Sequence, residues 1–160
     1  MTDNNAQKCE LREKNILIAV DGSDNARKAV LYVAGLLGGL EGFRITLFHV
    51  IPLAPEDYFP SAEERTRWIV EKRREADQAL VKYRRILEGA GMSASTISTR
   101  ISEGTHPSAA EAILSAQRDL GCCTLVMGRR GLSKKEEFIF GSTSNRILHA
   151  EKNCALWIIE

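Results

Sequence analysis

The chain has 160 residues, and its 22 Lys and Arg stand against 21 Asp and Glu, so the net charge of +1 provides no broad field for steering nucleic acid or a membrane surface. A chain of this length is expected to form one domain, because it buries roughly 70% of the surface exposed by its unfolded form. No apolar run approaches the roughly 20 residues of a membrane span, and the opening MTDNNAQKCELREK is polar, which predicts neither signal peptide nor anchor and a cytoplasmic location.

Residues 1–14 read as a polar tail and 15–160 as a single domain. The run Asn15 to Asp21, NILIAVD, is too short for a helix and rich in branched residues, as expected of a strand buried on both faces. Ser23 or Asp24 then caps a helix whose Val30, Val33, Ala34 and Leu37 share one face, and Gly38 ends it. Phe43 to Val50 is the second strand. The stretch at 52–60, holding three prolines counted from Pro52 to Pro60, reads as an exposed loop that can move.

From Ser61 to Glu88 the pattern is a long charged helix. Ile69, Ala76, Ala79 or Leu80, Tyr83 and Leu87 form its apolar stripe, and its interleaved charges read as a solvated face. GAGM stops it. STISTRI is a half-polar strand suited to a sheet edge. Pro107 opens the next helix, PSAAEAILSAQRDLG, which Gly121 closes. CTLVM is the fourth strand; a glycine-bearing loop, a helix to about Ala150 and a last strand, CALWII, complete the chain. Strand and helix alternate throughout, the mark of an α/β fold: an open five-stranded parallel sheet with helices on both faces.

The four cysteines, Cys9, Cys122, Cys123 and Cys154, form no CxxC pair and no zinc-finger series, so they read as free thiols. Cys123 and Cys154 would lie close, with His149 nearby, if they open neighbouring strands.

The densest signal lies between Val126 and Leu148. Gly128, Gly131 and Gly141 surround a basic loop, and Ser142, Thr143 and Ser144 follow at once. The pattern GxxG, nine residues, then G with Ser or Thr arises by chance in under about 1% of chains of this length. In an open parallel sheet ligands bind at the carboxyl ends of the strands, where the strand order reverses. Asp21, Val50, Met127 and Gly128 are such ends. Gly128 would let a ligand approach the backbone, and Gly131 would allow a positive φ. Gly141, Ser142 and Thr143 would begin a helix whose N–H groups attract an anion. Arg129, Arg130, Lys134 and Lys135 read as a solvated basic loop. No GxxxxGK motif occurs, and GAGMSA at 89–94 follows a helix and precedes a strand, the reverse of the dinucleotide fingerprint's setting.

ILIAVDGS, ITLFHV, TLVMGRRG and FGSTSNRILHAEKNCALWII together resemble the universal stress protein family, ATP-binding branch, from about Asn15 onward. The resemblance implies a sheet of order 3-2-1-4-5, of the adenine nucleotide α-hydrolase-like type. It also implies an adenine nucleotide site: Asp21 on the ribose, Val50 packing near adenine, the family's Met-Gly at the end of strand four on Met127 and Gly128, and a phosphate cradle of Gly131, Gly141, Ser142 and Thr143. Ser144 falls on the motif's next hydroxyl position. Homodimers through the last strand are implied as well. Cys123 replaces the family's frequent Asp entering strand four, and Ala155 its frequent Pro.

No nucleophile, base and orienting group come together in the sequence. Structural roles are expected of His49, His106 and His149. The expected function is a cytoplasmic, dimeric regulatory module that binds ATP, or ADP or AMP, with Mg²⁺ or Mn²⁺ bridging the phosphates, and acts on an unidentified protein partner in stress or energy signalling. No catalytic residue, no protein metal site, no nucleic acid and no membrane enter that expectation. Slow ATP hydrolysis or nucleotidyl transfer is one alternative. An interaction protein with a vestigial nucleotide site is the other.

Overall fold

The computed structural model describes residues 14–52, 56–104, 106–131, 142–150 and 154–160. Five strands, β1 (Lys14–Val20), β2 (Phe43–Ile51), β3 (Ile97–Glu103), β4 (Thr124–Gly128) and β5 (Ala155–Ile159), form one sheet of order β3-β2-β1-β4-β5. Every pairing is parallel. Four helices connect them: α1 (Asp24–Leu37), α2 (Ala62–Gly89), α3 (Ala109–Asp119) and α4 (Ser142–Ala150).

The alternation of β1 decides which helices lie where. Ile16, Ile18 and Val20 point to one face and join α1 residues such as Val30 and Val33 and α2 residues Leu80, Tyr83 and Leu87. Leu17 points to the other and joins Ala110, Ile113 and Leu114 of α3 and Ile147 of α4. β1 is therefore covered on both sides, as its near-continuous apolar run requires. Two crossovers on one face lead outward from β1 to β3, and two on the other lead back through β4 to β5. That arrangement keeps the connections right-handed and makes the β1–β4 junction the point where the strand order reverses.

β3 is an edge strand. Ser98, Thr99 and Arg100 along it are exposed, which suits a strand with hydrogen bonds on one side only. In the apolar stripe of α2 it is Leu80 that is buried in the core, while Ala79 only packs against it. α3 starts later than its proline suggests. Ser108 is the cap, accepting from the Glu111 N–H at 3.2 Å, so Pro107 lies one residue before the cap instead of in the first turn. The reason is the Ser-x-x-Glu spacing, a capping arrangement that satisfies an orphan N–H of the helix start.

Cys123 and Cys154 do open adjacent strands, with the Ala155 N–H donating to the Cys123 carbonyl at 2.9 Å. Both are half-buried, and Cys122 is buried. Among the described residues no helix is long and apolar enough to cross a membrane.

Candidate functional site

Asp21 follows the carboxyl end of β1 directly. Its Oδ1 accepts from the Ser23 N–H at 3.0 Å, a local turn typical of aspartate. Ser23 caps α1 in turn, its hydroxyl accepting from the Ala26 N–H at 3.1 Å. The carbonyl of Asp21 accepts from the Tyr83 hydroxyl of α2 at 2.6 Å. The turn is thus fixed by its own side chain, by a helix cap and by a residue distant in the chain. Burial pushes the Tyr83 hydroxyl up to about 12, and the negative charge of Asp21 adds to the shift.

The glycine loop leaves β4 against this turn. A Cβ on Gly128 would stand 2.7 Å from the carbonyl carbon and the Cβ of Asn25, so the loop lies directly on the first turn of α1. A Cβ on Gly131 would stand 2.5 Å from Asp21 Oδ2. Gly131 is not among the glycines of positive φ. It is required for close approach to a carboxylate instead of for a left-handed backbone, which corrects the sequence expectation.

Val50 and Met127 both lie on the sheet face covered by α3 and α4, with Met127 buried and Val50 packed against the same cluster. Ser142 is exposed and Thr143 half-buried at the start of α4. Ser144 is turned inward at 3% exposure and donates to the Arg129 carbonyl at 2.9 Å. Gly141, Lys134 and Lys135 lie outside the described residues. So do the segment 132–140 and part of the loop 52–60.

The two arginines depart from a solvated loop. The side chain of Arg129 is only 22% exposed and pairs with Glu160, while its N–H donates to the Ile159 carbonyl at 2.7 Å. Arg130 is half-buried, and its Nε is enclosed with no hydrogen-bond partner among the described residues. β4 and β5 run side by side to this point, so the basic loop begins under cover of the neighbouring strand.

His49 pairs in register with Val20. Burial holds its imidazole below the ordinary value of 6.5, against the opposing pull of Asp21 and Glu75 and with a smaller push from Lys72. Its Nδ1 is enclosed without a hydrogen-bond partner among the described residues. Among those residues no three His, Cys, Asp or Glu side chains gather as a metal-binding group.

Sequence reasoning did not find Tyr83 as part of this site. Its helical spacing marks only a core position, and the reach of its hydroxyl across 62 residues has no local signature.

The whole of this framework has relatives. A relative from Staphylococcus epidermidis that carries the universal stress protein name is 31% identical over 136 residues, 84% of this chain and 77% of that one. The universal stress protein UspA from Lactobacillus plantarum superimposes with a TM-score of 0.73 at 21% identity, over 94% of this chain and 99% of that one. A universal stress protein in complex with cAMP gives 0.64 at 17% identity, over 94% and 98%. One from Archaeoglobus fulgidus in complex with dAMP gives 0.59 at 17% identity, over 94% and 100%. The three structures share the fold. The model of the Universal stress protein family matches residues 13–157.

Proposed function

The chain belongs to the universal stress protein family, and on that premise we propose that it binds ATP, or ADP or AMP, where the β1–α1 turn meets the glycine loop. The observation that carries this reading is the approach of Gly131 to Asp21, where a Cβ would stand 2.5 Å from the carboxylate. It sets a carboxylate able to accept from ribose hydroxyls beside a loop whose backbone lacks side chains, at the point where the strand order reverses. The complexes of structural neighbours with cAMP and dAMP support the ligand class.

The residues present fit such a ligand. Asp21 would take the ribose, Val50 and Met127 would pack near adenine, and Gly128 and Gly131 would admit the nucleotide to the backbone. Gly141, Ser142 and Thr143 would surround the phosphates at the N-terminus of α4, whose orphan N–H groups favour an anion. A divalent cation, Mg²⁺ or Mn²⁺, would be carried by the phosphates themselves.

The biological role is that of a cytoplasmic regulatory module, acting on a protein partner as ATP or ADP levels change. Nucleotide acts by favouring one conformation over another. The module is a homodimer joined through β5. This strand is the second sheet edge, and beside it Tyr32 of α1, 50% exposed, meets Trp157 edge-on at 6.2 Å. An apolar edge flanked by an exposed aromatic favours pairing.

The first experiment is to denature freshly purified protein and analyse the supernatant for nucleotide, with an ATP titration with and without Mg²⁺ beside it. Near-stoichiometric ATP or ADP, or saturable binding, is the expected result. Protein that releases no nucleotide and binds none removes the reading.

A further inference from the structure

Arg129 is held at three points. Its N–H donates to Ile159 at 2.7 Å, its guanidinium pairs with Glu160, and its carbonyl accepts from Ser144 Oγ at 2.9 Å. The end of β5 supplies the first two and the first turn of α4 the third. Ser144 is 3% exposed, so its hydroxyl meets that carbonyl where little water is available to replace it.

The direction of the carbonyl matters for an anion. The chain contains no cis peptide among the described residues, and in a trans peptide the C=O and the following N–H point to opposite sides. With its oxygen turned to Ser144, the Arg129 peptide directs the Arg130 N–H away from α4. Were that peptide free to rotate, the loop between Gly128 and Gly131 would lose its fixed position against the start of α4. Family resemblance sets Ser144 among the hydroxyls of the phosphate motif, yet here the hydroxyl hydrogen is committed to the loop.

We propose that Ser144 is a positioning residue of the nucleotide loop: its buried hydroxyl pins the Arg129 carbonyl to the first turn of α4 and so fixes the backbone between Gly128 and Gly131 against the helix start that would hold the polyphosphate. The proposal rests on the nucleotide reading above. It bears first on the polyphosphate, which would lie at the start of α4, while the Asp21 turn has restraints of its own from Ser23 and Tyr83.

The test is calorimetric titration of ATP and of adenosine into the native protein and into Ser144→Ala, Ser144→Thr and Ser144→Cys, with amide hydrogen exchange at residues 129–131 alongside. In Ser144→Ala the affinity for ATP falls about tenfold, as loss of one buried hydrogen bond predicts. Its affinity for adenosine stays within about twofold, and the loop amides exchange faster. Ser144→Thr keeps the hydroxyl and restores both the ATP affinity and the protection. If Ser144→Ala does not fold, Ser144→Cys, of nearly the same shape but with a much weaker donor, carries the same expectation. Equal losses for ATP and adenosine, or no loss for either, overturn the positioning role while leaving nucleotide binding in place. A native protein that binds neither ligand removes the nucleotide reading and this inference with it.

Discussion

Gly131 and Asp21 lie so close that a Cβ on the glycine would stand 2.5 Å from the carboxylate oxygen Oδ2. The obstacle is a side-chain end, but turning it away strains the Asp21–Ser23 hydrogen bond, so Gly131→Ala is expected to destabilise by about 1–2 kcal/mol. Turning Asp21 away would remove the hydrogen bond proposed for the ligand, and ATP affinity should fall by about 10-fold or more. Gly131→Val should lose more, and Gly141→Val should also lose binding while the fold persists. Titration of ATP into these variants checks the expectation; native affinity in both valine variants would remove the glycine loop from the site.

Gly128 meets a different obstacle. Its missing Cβ would stand 2.7 Å from the backbone carbonyl carbon of Asn25, which cannot rotate away. Gly128→Ala should therefore destabilise the fold itself by about 1–3 kcal/mol, read as a lower urea midpoint without any nucleotide present. A midpoint equal to the native one would mean that α1 gives way easily.

The ribose role proposed for Asp21 separates the two ends of the nucleotide. Asp21→Ala should weaken AMP and ATP by similar factors, on the order of 10-fold, as loss of a hydrogen bond to a charged group implies. Competition titrations with the two nucleotides measure it. Loss for ATP alone would place the carboxylate against the phosphates or their cation.

Tyr83 ties α2 to the turn that bears Asp21 through a bond of 2.6 Å. Tyr83→Phe keeps the ring but strips the carbonyl of its donor, at a cost of about 1–3 kcal/mol, with weaker nucleotide binding because the turn loosens. The pH dependence has a defined sign. The folded pKa is raised to about 12 from 10.0, so the hydroxyl's contribution is fully present below pH 10 and is lost as pH rises from there toward 12. Chemical denaturation across that range should show a decline in the native protein that is shallower in Tyr83→Phe.

His49 gives the opposite window. Its pKa is lowered from 6.5 by burial, so the unfolded chain binds the proton more readily. Stability is full above pH 6.5 and falls as pH drops from there through the lowered value. Asp21 and Glu75 temper the loss by favouring the charged ring, and Lys72 adds to it. In His49→Gln this segment of the stability profile should flatten; an unchanged slope between pH 6.5 and 5 would assign the effect to carboxylates instead.

Much of this architecture is legible in the chain because it follows from local composition. The apolar run of β1 is buried on both faces, and the polar β3 lies at an edge, for reasons that concern only their own residues. The nearness of Asp21 to the glycine loop also follows once the strand order is known. Contacts between distant side chains are a different matter. Nothing in the spacing of Tyr83 distinguishes a core tyrosine from one that reaches Asp21, and nothing in RRG tells that Arg129 finds Glu160. Ser144 has the right residue type for a phosphate contact, yet the structure gives its hydroxyl to a backbone carbonyl. The start of α3 is encoded by the capping pair Ser108 and Glu111, although Pro107 also suits a first helical turn.

The junction of β1 with β4 also sets when this site can come into being. Its register joins Ile16 to Thr124 and Ala19 to Met127, so β1 stays without one neighbour until β4, more than a hundred residues later, has been translated. Pairings this distant in sequence form slowly, because the intervening segment must first be brought back. The pairing of β1 with β2 has no such delay. A nascent chain can thus pair β1 with β2 early, but the turn at Asp21 gains its glycine-bearing neighbour only after β4 has been made, so the two halves of the proposed site meet late.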